Sequence, residues 1–199
     1  MTTRDLTRYD PVWRSAEPYM RARKNDVHIP LSFAWCQKLL DLYPQADRDI
    51  CSLAILLHDI GWYSIDMKTI IEQGFRGDNF LQSDARYLHE RESVRLGTEV
   101  LRGNGWDEAT IAAVCEIIDG HDTRANPHHL NDRIMRDADK LWRYEVAGVA
   151  VACDWFGVTP HNYADQVEAQ LERFETDHGR AMAEAELAVT RDKLMLHVL

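Results

Sequence analysis

Cysteine is scarce in this chain of 199 residues, and its four copies, Cys36, Cys51, Cys115 and Cys153, are widely spaced with no C-x-x-C pair. That excludes a disulfide framework and predicts buried, reduced thiols in a cytoplasmic protein. Long apolar runs are missing as well. Nothing approaches the ~20 residues of a membrane span, and Met1-Thr2-Thr3-Arg4-Asp5 has no apolar segment of the signal-peptide kind. Positive charge is in deficit, with 23 basic against 33 acidic residues and a net charge of -10. A polyanion would be repelled, so a general nucleic-acid binder is excluded, while a local basic pocket for a small phosphorylated compound remains open. Strand-like alternation, internal repeats and low-complexity linkers are also absent. What remains is an all-α protein, one compact helical bundle with a single domain over 1–199.

The most informative stretch is Cys51 to Gly61, a nearly continuous apolar run that closes on His58-Asp59. Its length and lack of alternation favour a central helix over about 47–60, with Gly61 as a left-handed stop. A carboxylate in such surroundings needs a salt bridge, a hydrogen-bond network or a metal to compensate its burial.

Helical periodicity also predicts an N-terminal helix over 8–24, with Pro11 in its first turn and Pro18 marking a break or kink. Arg21, Arg23 and Lys24 at its end read as a solvated face favouring the helix dipole. Asn25-Asp26 reads as the cap of a helix over about 30–42, with His28 just before it. Residues 65–73 suggest a short helix, followed by a lid-like loop around Gly74 and Gly77. Further helices are expected over about 83–102 with His89, 108–120 with His121 just beyond, 132–151 with Asp137 and Asp139, 162–177 and 179–198. His128-His129 reads as loop surface.

His28, His58, Asp59, His89, His121 and an aspartate at 137 or 139 fall at helix ends or early turns of different helices. A bundle builds an interior metal site in this way, and imidazole with carboxylate suits Mn, Fe, Co, Ni or Zn. Helical geometry does not choose between Asp137 and Asp139, because both flank the apolar face of their helix.

The ordered set His28, His58-Asp59 and Asp139 within Ala138-Asp139-Lys140-Leu141 resembles the HD superfamily of metal-dependent phosphohydrolases. Leu88-His89-Glu90 with Ser93 and Gly97, and Ile117-Ile118-Asp119-Gly120-His121-Asp122, are similar to the subgroup that binds two metals. The resemblance covers about 26–145. It selects Asp139 through the Ala-Asp-Lys-Leu string, implies one or two divalent transition-metal ions, and makes Asp59 the bridging carboxylate. It also implies hydrolysis of a small phosphate ester or nucleotide by a metal-activated water, with Asp59, His89 and Lys140 carrying the chemistry. Arg124, Arg76 and the Arg21/Arg23/Lys24 cluster are further candidates to meet the phosphate. Asp122 is a candidate to orient His121. The tryptophans read as packing, with Trp62 or Tyr63 as alternatives for stacking on a base or covering the site. The cyclic-dinucleotide Gly-Tyr-Pro signature, a synthetase-like region and a regulatory domain are missing, so a stand-alone enzyme is expected. The rival in the same superfamily is a diiron oxygenase acting on a small molecule. A non-catalytic metal-stabilised module is the third reading.

Overall fold

The computed structural model describes residues 5–66 and 84–196. Among them there are nine α-helices, joined by short 3-10 turns, and no strand. We number them α1 (Asp10–Ala16), α2 (Asn25–Leu42), α3 (Arg48–Leu57), α4 (Asp84–Gly103), α5 (Glu108–Ile118), α6 (Leu130–Leu141), α7 (Val146–Phe156), α8 (Pro160–Glu168) and α9 (Asp177–Lys193). The lid expected around Gly74 and Gly77, most of the helix expected before it, and Arg76 lie outside the described residues.

α3 is the hub. Its N-cap Asp47 accepts from Ile50 N at 3.0 Å, and every side chain from Cys51 to Leu57 is buried. α2, α5 and α6 pack around it, which explains a helix apolar on all sides. It ends one turn earlier than the periodicity predicts, so His58 and Asp59 stand at its C-terminus and a 3-10 turn, Ile60–Ser64, follows. Gly61 is not a left-handed stop; among the described residues the glycines with positive φ are Gly105, Gly120 and Gly157. Its lack of a side chain serves close approach instead. A Cβ there would lie 2.1 Å from His89 O and 2.4 Å from Ser93 N.

Five other helices differ from expectation. The N-terminal one stops at Ala16, before Pro18, and 3-10 turns continue to Lys24. α2 then begins at Asn25, placing His28 inside the helix and Pro30 in its second turn. The Asn25 side chain does not cap it, because its Nδ2 donates to Asp59 O at 2.9 Å. The long helix expected over 132–151 breaks at Trp142–Tyr144, where Glu145 turns extended (φ -80°, ψ 157°) before α7 starts. Gly148 permits that corner, since a Cβ there would lie 1.9 Å from Trp142 O. The last two helices are shorter than expected: a 3-10 turn at Leu171–Arg173 separates α8 from α9. Among the described residues, no helix is long and apolar enough to cross a membrane.

Candidate metal centre

α2 contributes His28, the end of α3 His58 and Asp59, α4 His89, the turn after α5 His121, and α6 Asp139. All six are buried. Asp59 sits between two groups of imidazoles. Its Oδ2 is 3.4 Å from His28 Nδ1 and 3.8 Å from His58 Nε2. Its Oδ1 is 3.4 Å from His89 Nε2 and 3.6 Å from His121 Nε2. Asp139 closes the first group, its Oδ1 lying 2.7 Å from His28 Nε2 and 3.2 Å from His58 Nε2.

The ring orientations suit metal ligation. His58 Nδ1 donates to Ile55 O at 2.9 Å and His121 Nδ1 to Ile118 O at 2.8 Å. A backbone carbonyl that holds one ring N–H leaves Nε2 with its lone pair aimed inward, the tautomer a divalent ion needs. Trp62 stacks on His89 (4.2 Å, 13°) and Trp142 on His28 (4.6 Å, 24°), fixing two more rings. Trp62 Nε1 also donates to Asp59 Oδ1 at 3.0 Å. Buried carboxylate and imidazole donors converging on two adjacent points fit one or two borderline divalent ions. His28, His58 and Asp59 would hold one, with Asp139 alongside, and Asp59, His89 and His121 the other.

The electrostatics match. Burial on its own would raise the Asp59 carboxyl, but the imidazoles around it, His58 foremost, hold it well below the usual carboxylate range. Asp139 is likewise held low against its burial, by His28 and His58. Burial disfavours the His121 cation, yet Asp59, Asp122 and Glu90 push its pKa up to about 10. In the chain stripped of metal His121 is therefore protonated at neutral pH, and an ion taking its Nε2 must displace that proton. Metal uptake should accordingly release protons and tighten as pH rises. The imidazolium's own stabilisation is fully present below an unfolded value near 6.5 and is lost as pH climbs through about 10. Titration calorimetry in two buffers of different ionisation enthalpy reads the proton count, and identical heats in both would contradict the assignment.

Asp137 faces the other way. It accepts from Glu175 N, Thr176 N and Thr176 Oγ1 at 2.8, 2.8 and 2.7 Å, and burial raises its pKa. The two aspartates should thus part cleanly. Asp139→Asn is expected to cost metal, while Asp137→Ala should keep metal yet destabilise the fold by about 3 kcal/mol through three orphaned donors. Metal analysis and thermal melts of the two variants check this; metal loss in Asp137→Ala alone would reverse the roles.

The surroundings bring further corrections. Asp122 does not orient the His121 ring, since Ile118 O does; its Oδ2 is instead 3.8 Å from His89 Nε2 and from Arg86 Nε. Lys140 borders the site, but its Nζ donates to Arg173 O at 2.7 Å and lies 3.5 Å from Asp137. Arg124 is paired with Asp132 at 2.8 Å. Arg21 and Lys24 are exposed as expected, whereas the Arg23 side chain is only 8% exposed and lies 3.7 Å from Asp59 Oδ2. Arg23 was a candidate only as part of the Arg21/Arg23/Lys24 cluster, while Glu90 and Arg143 escaped the sequence reading as functional residues. Glu90 accepts from Asp122 N and Thr123 N at 2.8 and 3.0 Å, pinning the turn that carries His121. Arg143 had a usable signal, standing four residues after Asp139 on the same helical face.

A family model described as HD domain matches residues 30–144. The chain belongs to the HD domain family. HD domains in general are metal-dependent phosphohydrolases that bind divalent ions, and the matched segment contains every candidate ligand except His28, which stands two residues before it. Compared with curated proteins and with solved structures, the chain matches none. The HD match ends at the 3-10 turn after α6, so α7, α8 and α9 lie beyond it.

Proposed function

We propose that the chain is a metal-dependent phosphohydrolase acting on a small phosphate ester or a nucleotide phosphate. The observation that carries this reading is a cleft of ≈ 570 Å³ whose walls include both His121 and Asp139 from the metal centre and the basic side chains Arg23, Arg86, Lys140 and Arg143. That volume is within the usual range for small-molecule sites, about 300–1,000 Å³. A protein with a net charge of -10 has thus gathered cations at one opening beside its buried imidazoles.

When bound, divalent ions supply Lewis acidity at phosphorus and acidify water into a nucleophile near neutral pH. The chain's own residues supply the rest. Asp59 offers one oxygen to each group of imidazoles and so sets their spacing. His89, held flat by Trp62, keeps its Nε2 on the Asp59 side. The basic side chains draw in an anionic substrate and offset charge on the phosphoryl oxygens as the leaving group departs. Lys140 serves at one remove, tying the 173–175 segment to the cleft wall.

A panel of phosphomonoesters and nucleotides, assayed with Mn, Co, Ni, Zn and Fe in air and without it, tests the reading. Hydrolysis is expected anaerobically and with more than one metal. Turnover that demands iron and consumes dioxygen, with no phosphorylated compound cleaved by any metal form, would replace it with an oxygenase.

A further inference from the structure

Five of the six candidate ligands are placed by helices. His28, His89 and Asp139 lie within α2, α4 and α6, and His58 and Asp59 stand at the end of α3. His121 is the exception: it sits in the turn after α5, directly behind Gly120 at φ 88°. Two buried side chains of opposite charge, one from each neighbouring helix, hold that turn. Glu90, beside His89 on α4, accepts from Asp122 N at 2.8 Å, Thr123 N at 3.0 Å and Thr123 Oγ1 at 2.6 Å. Arg136, on α6, donates through Nη2 to Gly120 O at 2.9 Å and through Nη1 to Arg124 O at 3.0 Å. Its Nε is held by Asp132 Oδ1 at 2.9 Å.

The two grips are complementary. A carboxylate takes N–H groups of the turn and a guanidinium takes its carbonyls, so the backbone from Gly120 to Arg124 is clamped from both sides by charge-assisted bonds. The His121 ring bonds within the same segment, Nδ1 to Ile118 O, and this turns Nε2 toward Asp59. A turn that drifted would carry that nitrogen away from an ion. Arg136 also lines the cleft, yet each of its three nitrogens already has a protein acceptor. Its geometry serves the turn.

We propose that Glu90 and Arg136 are positioning residues that together hold His121 for a second ion, so that the Asp59, His89 and His121 half of the centre depends on them and the His28, His58 and Asp139 half does not. The proposal rests on the metal-centre reading and not on the reaction performed there. Both residues act through His121, and neither is a ligand. Asp139 shares α6 with Arg136, but that end of the helix is seated by the bonds of Asp137 to Glu175 and Thr176. Lysine cannot replace Arg136, because an ammonium keeps the charge beside Asp132 and has no fork to span two carbonyls. Glutamine at position 90 keeps an oxygen for the two N–H groups of the turn.

The test counts ions in the full chain. Metal-free wild type, Arg136→Met, Arg136→Lys, Glu90→Ala and Glu90→Gln are titrated with cobalt(II) against a chromophoric chelator, with visible spectra and thermal melts recorded alongside. His121→Ala supplies the spectrum of a chain whose second half is disabled. Wild type is expected to take two ions. Arg136→Met, Arg136→Lys and Glu90→Ala should take the first with wild-type affinity and the second about 10–100-fold more weakly. Until that second ion enters, their spectra should match His121→Ala, and Glu90→Gln should recover most of the loss. If Arg136→Met or Glu90→Ala does not fold, Arg136→Lys decides. Unchanged affinity for both ions, whatever the Tm, or equal weakening of both, would overturn the proposal and leave the pair as struts of the turn. The two readings fail separately. A wild-type chain that takes one ion removes the clamp and leaves a one-metal hydrolase standing. Selective loss of the second ion, with no ester cleaved by any metal form, keeps the clamp and removes the hydrolase.

Discussion

Asp59→Ala is expected to strip metal from both halves of the centre and to abolish turnover while the helical content stays intact. No other candidate ligand faces both groups: one carboxylate oxygen lies 3.4 Å from His28 and the other 3.4 Å from His89. Removing a partner outside the ligand sphere already costs about 10–100-fold in affinity or activity, so loss of a shared anionic ligand should exceed that. Asp59→Asn should fail nearly as badly, because a neutral amide contributes no charge to offset a divalent ion. The fold tolerates the change, since Asp59 stands at the end of α3 and the buried run Cys51–Leu57 precedes it. Elemental analysis beside far-ultraviolet circular dichroism reads both quantities. Full metal content in both variants would make Asp59 an ion-pair partner of Arg23 and the histidines only.

The second large effect comes from a residue with no chemistry. Gly61→Ala would set a Cβ 2.1 Å from His89 O, 2.4 Å from Ser93 N and 2.7 Å from Ser93 Oγ. Two of these atoms are backbone, so no side chain can swing aside and α4 itself must shift. Gly61 N also donates to Ser93 Oγ at 2.8 Å, a bond that such a shift would break. The cost belongs at the upper end for overpacking, about 3 kcal/mol or more. At roughly 2–4 °C per kcal/mol for a chain of this size, that is a drop of about 10 °C in Tm. Because α4 carries His89, the His89/His121 half should lose its ion before the His28/His58 half does. Gly103→Ala is the control: nothing lies within 4 Å of its Cβ position, and the change should be neutral or slightly stabilising. Equal melting temperatures for Gly61→Ala and wild type would refute the packing argument.

The centre was legible in the sequence wherever local pattern and burial point the same way. His58-Asp59 closing an apolar run, His89 on a helix with a clear stripe and His121 just past the end of another are positions that local pattern locates. Asp139 was chosen by resemblance, because the feature that separates it from Asp137 is a contact 38 residues downstream, Glu175 N on Asp137. Arg23 read as surface because its inward direction depends on two left-handed residues that carry no glycine to announce them. The corner at Trp142–Glu145 likewise has no proline or glycine at the break itself. The glycine that permits it, Gly148, comes later, inside α7. Gly61 was recognised as special for the wrong reason: a helix stop and a close helix approach call for the same residue, and only the neighbour distinguishes them.

Asp137 and Asp139 face opposite ways from one short helix, and this bears on the order in which the molecule is made. On a ribosome, residues 28 to 139 emerge with all six candidate ligands before residues 174–179 exist. Until that later segment docks, Asp137 is a carboxylate on α6 without its three donors, and it favours keeping that face of the helix wet. Thr176 answers it while also capping α9, accepting from Gly179 N at 3.0 Å. A segment made after all six candidate ligands therefore seats α6, and Asp139 takes its place beside His28 and His58 only once Thr176 has docked.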